Sequence, residues 1–147
     1  MEEALRQAEL ALASGEVPVG AVVVFGTKVV GRGFNRNLLD NDPTAHAEVV
    51  ALRQAGRVVG NHRLLECDLY CTIEPCAMCA GAIVHARIRR LVYGADDPKA
   101  GGVHSMLNVI NHPQLNHQME VRSGVLAGRC QEILQKFFCE RRADERE

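Results

Sequence analysis

His46, Glu48, Cys76 and Cys79 are the residues of this chain whose types and spacing can do chemistry together. Cys76 and Cys79 are thiols three positions apart, a separation that puts both sulfurs on one side of a helix's first turn. The positive end of a helix favours the thiolate, the form of cysteine that binds metal and attacks disulfides. Taken alone, such a pair serves a thiol redox centre as well as a metal site. His46 tips the balance, because two sulfurs and one imidazole hold a zinc ion and leave its fourth tetrahedral position to water, as catalytic rather than structural zinc requires. Glu48, two residues beyond His46, is not needed as a ligand. In the first turn of a helix side chains lean back toward the N-terminus, so Glu48 can approach the same point without coordinating.

Two thiolates cancel the charge of a zinc ion, so water there is acidified less than by an ion on three neutral imidazoles, and a nearby base becomes useful. A carboxylate that accepts the water proton and hands it to a ring nitrogen and then to a leaving amine completes a hydrolytic deamination. His46-x-Glu48 by itself is a weak signal. Joined to Pro75-Cys76-x-x-Cys79 it makes the H-x-E…P-C-x-x-C signature of zinc deaminases.

These residues have to be positioned by the elements around them. Ala4, Leu5, Ala8, Ala11 and Leu12 form one helical stripe that Ser14-Gly15 ends. Val19 to Val24 is a nearly continuous apolar run suited to a strand covered on both faces, and Lys28 to Gly33 returns from it as a hairpin. After the polar loop Asn35 to Asn41, Asp42 as N-cap and Pro43 at the first helical position predict a helix running to Gly56, with His46 in its first turn. Leu64-Leu65 and Leu69 to Ile73 predict a third strand, ended by Glu74-Pro75. A second buried helix follows over Cys76 to Ala86. Leu91 to Gly94 is a fourth strand, Asp96 to Gly102 a loop, Met106 to Ile110 a helical turn and Gln118 to Arg122 a short fifth strand. Leu126, Cys130, Ile133, Leu134, Phe137 and Phe138 mark a terminal helix, and Arg141 to Glu147 is charged and polar. Strands alternating with helices predict a three-layer α/β/α sandwich around a mixed five-stranded sheet, one domain over residues 1–147.

Composition fits that reading. A chain of 147 residues that is 47% hydrophobic can bury a core of its own. No apolar run approaches the ~20 residues of a membrane span, and the acidic start Met1-Glu2-Glu3 does not resemble a secretory leader, so a cytoplasmic protein is expected. In that reducing setting the six cysteines are not read as three disulfides. Cys67, Cys71, Cys130 and Cys139 are expected to be buried or half-buried thiols. A net charge of -1 announces no nucleic-acid partner globally. Arg87, Arg89 and Arg90 offer a local patch that could face phosphate.

With these motifs in place, the sequence resembles the cytidine/deoxycytidylate deaminase superfamily and, within it, the bacterial tRNA-specific adenosine deaminases. The likeness is carried by Glu16-Val17-Pro18-Val19-Gly20-Ala21, Asn35-Arg36, Asp42 to Glu48, Pro75 to Ala82, His112-Pro113 with Asn116-His117, and Phe137-Phe138 with Arg141-Arg142. The catalytic signature is shared across the superfamily, whereas the C-terminal third resembles the tRNA enzymes. The resemblance implies conversion of adenosine to inosine at the wobble position of a tRNA anticodon by a homodimer whose groove uses both subunits. It implies that His46, Cys76 and Cys79 hold one Zn2+ per subunit and that Glu48 shuttles protons. It further implies that Asn35 hydrogen-bonds the extruded adenosine and that Val17, Pro18, Val19 and Ala45 line its pocket. Asp97, Asn116, Phe138, Arg141 and Arg142 would meet the rest of the anticodon stem-loop. The alternatives at this point are the same chemistry on guanine, cytosine or cytidine and, more distantly, a Cys-x-x-Cys redox protein.

Overall fold

β1 (Gly20–Phe25) is the unbroken apolar run, and it is covered on both faces: Ala21 and Val23 are fully buried and Val22 nearly so. The computed structural model describes all of residues 1–147. The chain turns at Gly26-Thr27, with Gly26 at positive φ as a two-residue hairpin needs, and β2 (Lys28–Phe34) returns antiparallel. β3 (Cys67–Ile73) pairs antiparallel with the other edge of β1, and β4 (Arg90–Ala95) and β5 (Glu120–Arg122) extend the sheet in parallel. The order β2-β1-β3-β4-β5 is the mixed five-stranded sheet expected from the sequence. α1 (Glu2–Ala13) and α4 (Ala127–Asp144) pack on one face, and α2 (Ala47–Val59) and α3 (Ala77–His85) on the other, giving three layers.

Two features of this frame place the reactive residues. The β3–α3–β4 crossover joins parallel strands, so the N-terminus of α3 sits beyond the carboxyl end of β3, where ligands of α/β sheets collect. On the neighbouring side α2 lies directly on β2, because a Cβ on Gly31 or Gly33 would overlap the carbonyls of Ala51 and Ala47. Ala47, Ala51 and Ala55 are fully buried in that contact, which brings the start of α2 beside the start of α3.

The structure corrects the helix starts. Asp42 does not cap α2; its Oδ1 accepts the Thr44 N–H at 2.8 Å and the Thr44 hydroxyl at 2.7 Å in a local turn, and the helix begins at Ala47 with His46 as N-cap. Cys76 is likewise the N-cap of α3, in extended conformation with ψ of 175°. Both caps lean over a helix end rather than ride its flank. Leu64-Leu65 is not strand: both lie in the α2–β3 connection, Leu64 with its side chain buried in the core and Leu65 exposed. Met106 to Ile110 makes no helical turn, and Cys139 is exposed on α4.

Candidate active site

His46 Nδ1 lies 3.6 Å from Cys76 Sγ and 3.4 Å from Cys79 Sγ. Zinc held tetrahedrally at about 2.05 Å from nitrogen and about 2.3 Å from sulfur separates those atoms by about 3.6 Å, so the three side chains already stand at the spacing of a zinc coordination edge. The donor set fits as well: one imidazole, two sulfurs, two helix N-termini and no fourth protein ligand in the group. A redox dithiol needs neither an imidazole almost equidistant from both sulfurs nor the carboxylate beside them. Hydrogen bonds, first from Cys79 and then from His46, hold the Cys76 thiol down to about 4. Cys79 moves up, because it donates to Cys76 and is buried, and His46 moves up through its bond to Cys76. The protons these groups retain are the ones that metal binding displaces.

Glu48, at the second position of α2, is buried at 3% exposure. Burial pushes its carboxyl above the usual range, and its partners are the Cys79 thiol and its own backbone N–H. A carboxyl with so few donors holds its proton more tightly than an exposed glutamate does, as a group that must carry one requires.

These groups face a pocket of about 860 Å³ that also takes in Val17, Val19, Asn35, Asp97, Phe138, Arg141 and Arg142. Asn35 Oδ1 accepts the Ala47 N–H at 2.9 Å, capping α2 from outside the helix and leaving the Asn35 amide N–H groups for a ligand. Phe138 projects into the pocket at 47% exposure while Phe137 turns to the core at 6%, with the Arg141 guanidinium 5.2 Å from its ring centroid. Pro18 and Ala45 are buried behind the wall rather than part of the lining. Asn116 is not brought here; it borders a separate groove of about 520 Å³ with His85, Arg87 and His112. The arginine patch is not free either, since Arg89 forms a two-pronged pair with Asp68 at 3.0 Å and Arg90 pairs with Glu120 at 2.9 Å.

Asn37, Lys99, Leu134 and Glu145 also line the pocket, and two buried glutamates brace its walls in a role that the sequence reading did not assign to them. Glu16 Oε1 accepts the N–H groups of Leu38 at 2.7 Å and Leu39 at 2.8 Å, pinning the loop after Asn35. Glu74, at the end of β3, is 1% exposed and accepts the N–H groups of Asp97, Val103, His104 and Ser105 at 3.0–3.1 Å, together with the Ser105 hydroxyl. Burial alone would raise the Glu74 carboxyl, but those donors bring it down to about 2. The one available signal was an acidic residue at the end of an apolar strand, which also suits an ordinary strand terminator.

The chain as a whole is similar to known proteins. The MafB19-like deaminase model matches residues 1–142. A tRNA-specific adenosine deaminase of Haemophilus influenzae is 48% identical over 147 residues, covering 99% of this chain and 85% of that one. A solved structure from studies of A-to-I editing by tRNA:A34 deaminases at the wobble position of transfer RNA superposes with a TM-score of 0.88 at 48% identity, over 91% of this chain and 97% of the other. The guanine deaminase of Bacillus subtilis is 41% identical but aligns over only 65% of this chain and 61% of its own, with a TM-score of 0.62. The match to the tRNA enzymes thus runs through the pocket walls and α4 as well as the His46, Cys76 and Cys79 cluster, and the chain belongs to the tRNA-specific adenosine deaminase family.

Proposed function

We propose that residues 1–147 form a single deaminase domain that hydrolyses adenosine to inosine at the wobble position of a tRNA anticodon, releasing ammonia. One observation carries the chemistry: a buried carboxyl with few donors, Glu48, stands beside a His-Cys-Cys cluster of zinc dimensions, with Glu48, His46 and Cys76 lining an open pocket. The similarity to tRNA-specific adenosine deaminases along nearly the whole chain supports the substrate.

His46, Cys76 and Cys79 would hold Zn2+, which when bound polarises a water molecule and makes its proton easier to remove. Glu48 takes that proton as the water oxygen adds to C6 of the adenine and delivers it to N1; it then takes the remaining proton of the added hydroxyl and passes it to the amine, so that the C6–N bond breaks, the C6 carbonyl forms and ammonia departs. Its raised affinity for protons suits a group that must be loaded and unloaded in one turnover. The Asn35 amide donates to a ring nitrogen of the base, an orientation fixed because its oxygen is committed to Ala47. Val17 and Val19 give the base apolar walls. Phe138 offers a face on which a neighbouring base stacks, and Asp97, Arg141 and Arg142 contact the loop around it.

The enzyme would act in the cytoplasm as a homodimer; no helix is long and apolar enough to cross a membrane. One observation supports the dimer: the α2–α3 side carries a mainly apolar groove of about 400 Å³ lined in part by Val49, Leu52, Leu64 and Ala86.

Incubation with an anticodon stem-loop bearing a wobble adenosine, with free adenosine, cytidine and guanine in parallel, tests the reading. Inosine and ammonia from the stem-loop are expected, and turnover restricted to a free base or nucleoside would replace the RNA assignment.

A further inference from the structure

Residues 97–105 carry Asp97, Lys99 and Ala100 into the lining of the pocket that Asn35 also faces, and make one stretch of its wall. Several latches hold this segment. Gly102 N–H donates to the Pro75 carbonyl at 2.7 Å, and the Tyr93 hydroxyl lies 2.6 Å from His104 Nδ1. Glu74 alone gathers donors from both ends of the segment, Asp97 at one and Val103, His104 and Ser105 at the other. The backbone is threaded round the carboxylate so closely that a Cβ on Gly101 would overlap it, and one on Gly102 would strike the backbone of Cys76 and Ala77. Asp97 Oδ1 in turn accepts the N–H groups of Lys99 and Ala100 at 3.2 Å, so the placement of both lining side chains follows from where the Asp97 backbone is held.

We propose that Glu74 is a positioning residue for the RNA: by folding residues 97–105 around its carboxylate it sets where Asp97 and Lys99 stand in the pocket. The inference rests on reading the pocket as an RNA site. Every one of the carboxylate's contacts named above is to the segment, so Glu74 acts through the wall and not on the reacting base. His46, Glu48 and Cys79 take none of their hydrogen bonds from residues 97–105. Cys76 meets the segment through a backbone bridge to Gly101, which the Gly102 N–H bond to the Pro75 carbonyl holds without Glu74. Loosening the wall around Glu74 therefore weakens capture of the stem-loop more than it disturbs the chemical step, and the zinc content reports whether the Cys76 bridge has moved.

Steady-state kinetics on the zinc-loaded enzyme with the anticodon stem-loop test this. Glu74→Gln is expected to raise KM about ten-fold with kcat within about three-fold, a split that marks lost uniform binding. Zinc stays at one per chain, and the amide resonances of Val103, His104 and Ser105 shift. In a background carrying Asp97→Ala and Lys99→Ala the same substitution leaves KM unchanged, because the side chains it positions are gone. Ser105→Ala, which removes a single donor, covers the case in which Glu74→Gln does not fold; KM is then expected to rise about two-fold with the same dependence on Asp97 and Lys99. A fall in kcat at unchanged KM, loss of zinc, or an equal KM rise in the Asp97, Lys99 background overturns the assignment. Failure of the unaltered enzyme to convert the stem-loop overturns the RNA reading itself and this inference with it.

Discussion

Glu48 and Glu74 are glutamates buried to 3% and 1% exposure in the lining of one pocket, yet their carboxyls are displaced in opposite directions. For Glu48 burial dominates and the proton is held more tightly. For Glu74 the same penalty is overridden by four backbone N–H groups and a hydroxyl, and the group is brought down to about 2. Burial sets what a charge costs, whereas donors decide whether the charge is kept. A carboxylate enclosed by donors is a fixed anion around which a loop can be built. One with few of them holds its proton more tightly, which is the property the proposed role of Glu48 asks for.

The largest expected effect of breaking this pair apart is at Glu48. Glu48→Gln keeps the shape of the side chain and removes its capacity to carry a proton, so kcat for inosine formation should fall by about 10³-fold or more. Zinc measured by elemental analysis should stay at one per chain, and urea unfolding should shift by less than about 1 kcal/mol, since no loop donors are orphaned. Retained turnover would remove Glu48 from the mechanism.

Glu74→Gln should invert that pattern. The interval from about 4.5 to about 2 corresponds to about 3 kcal/mol of folding free energy at neutral pH, all of it lost with the charge. Urea denaturation followed by circular dichroism reads it directly, and a loss under 1 kcal/mol would mean that the donors around Glu74 do not stabilise its ionised form.

The contrast also explains what the sequence could and could not disclose. His46, Glu48, Cys76 and Cys79 were legible because their chemistry depends on type and local spacing, and the mixed five-stranded sheet, though not the order of its strands, followed from apolar runs alternating with helical stripes. The start of α2 was not. Asp42-Pro43 has the local signature of a helix N-terminus, but the donor at Ala47 is satisfied by Asn35, twelve residues upstream, and Asp42 is diverted to Thr44. The role of Glu74 was hidden for the same reason, because all of its carboxylate's partners come from 97–105, beyond any local window. Cys139 ends a similar argument: it follows the apolar stripe of α4, but the helix face it occupies has nothing packed over it.

The pH dependence of stability is the finest way to separate the two carboxyls. The folded-state value of Glu74, about 2, lies below the 4.5 of the unfolded chain, so its stabilisation is complete above pH 4.5 and is lost as pH falls toward 2. The stability difference between the unaltered protein and Glu74→Gln should therefore shrink from about 3 kcal/mol at pH 7 to about 1.4 kcal/mol at pH 3. Other carboxyls titrate in both proteins and cancel in the difference. Glu48, whose folded-state value is raised, contributes in the opposite sense: its ionised form is the disfavoured one, and acid relieves rather than removes its contribution. A difference curve for Glu48→Gln that fell with acid as the Glu74→Gln curve does would erase the distinction and make both residues loop anchors.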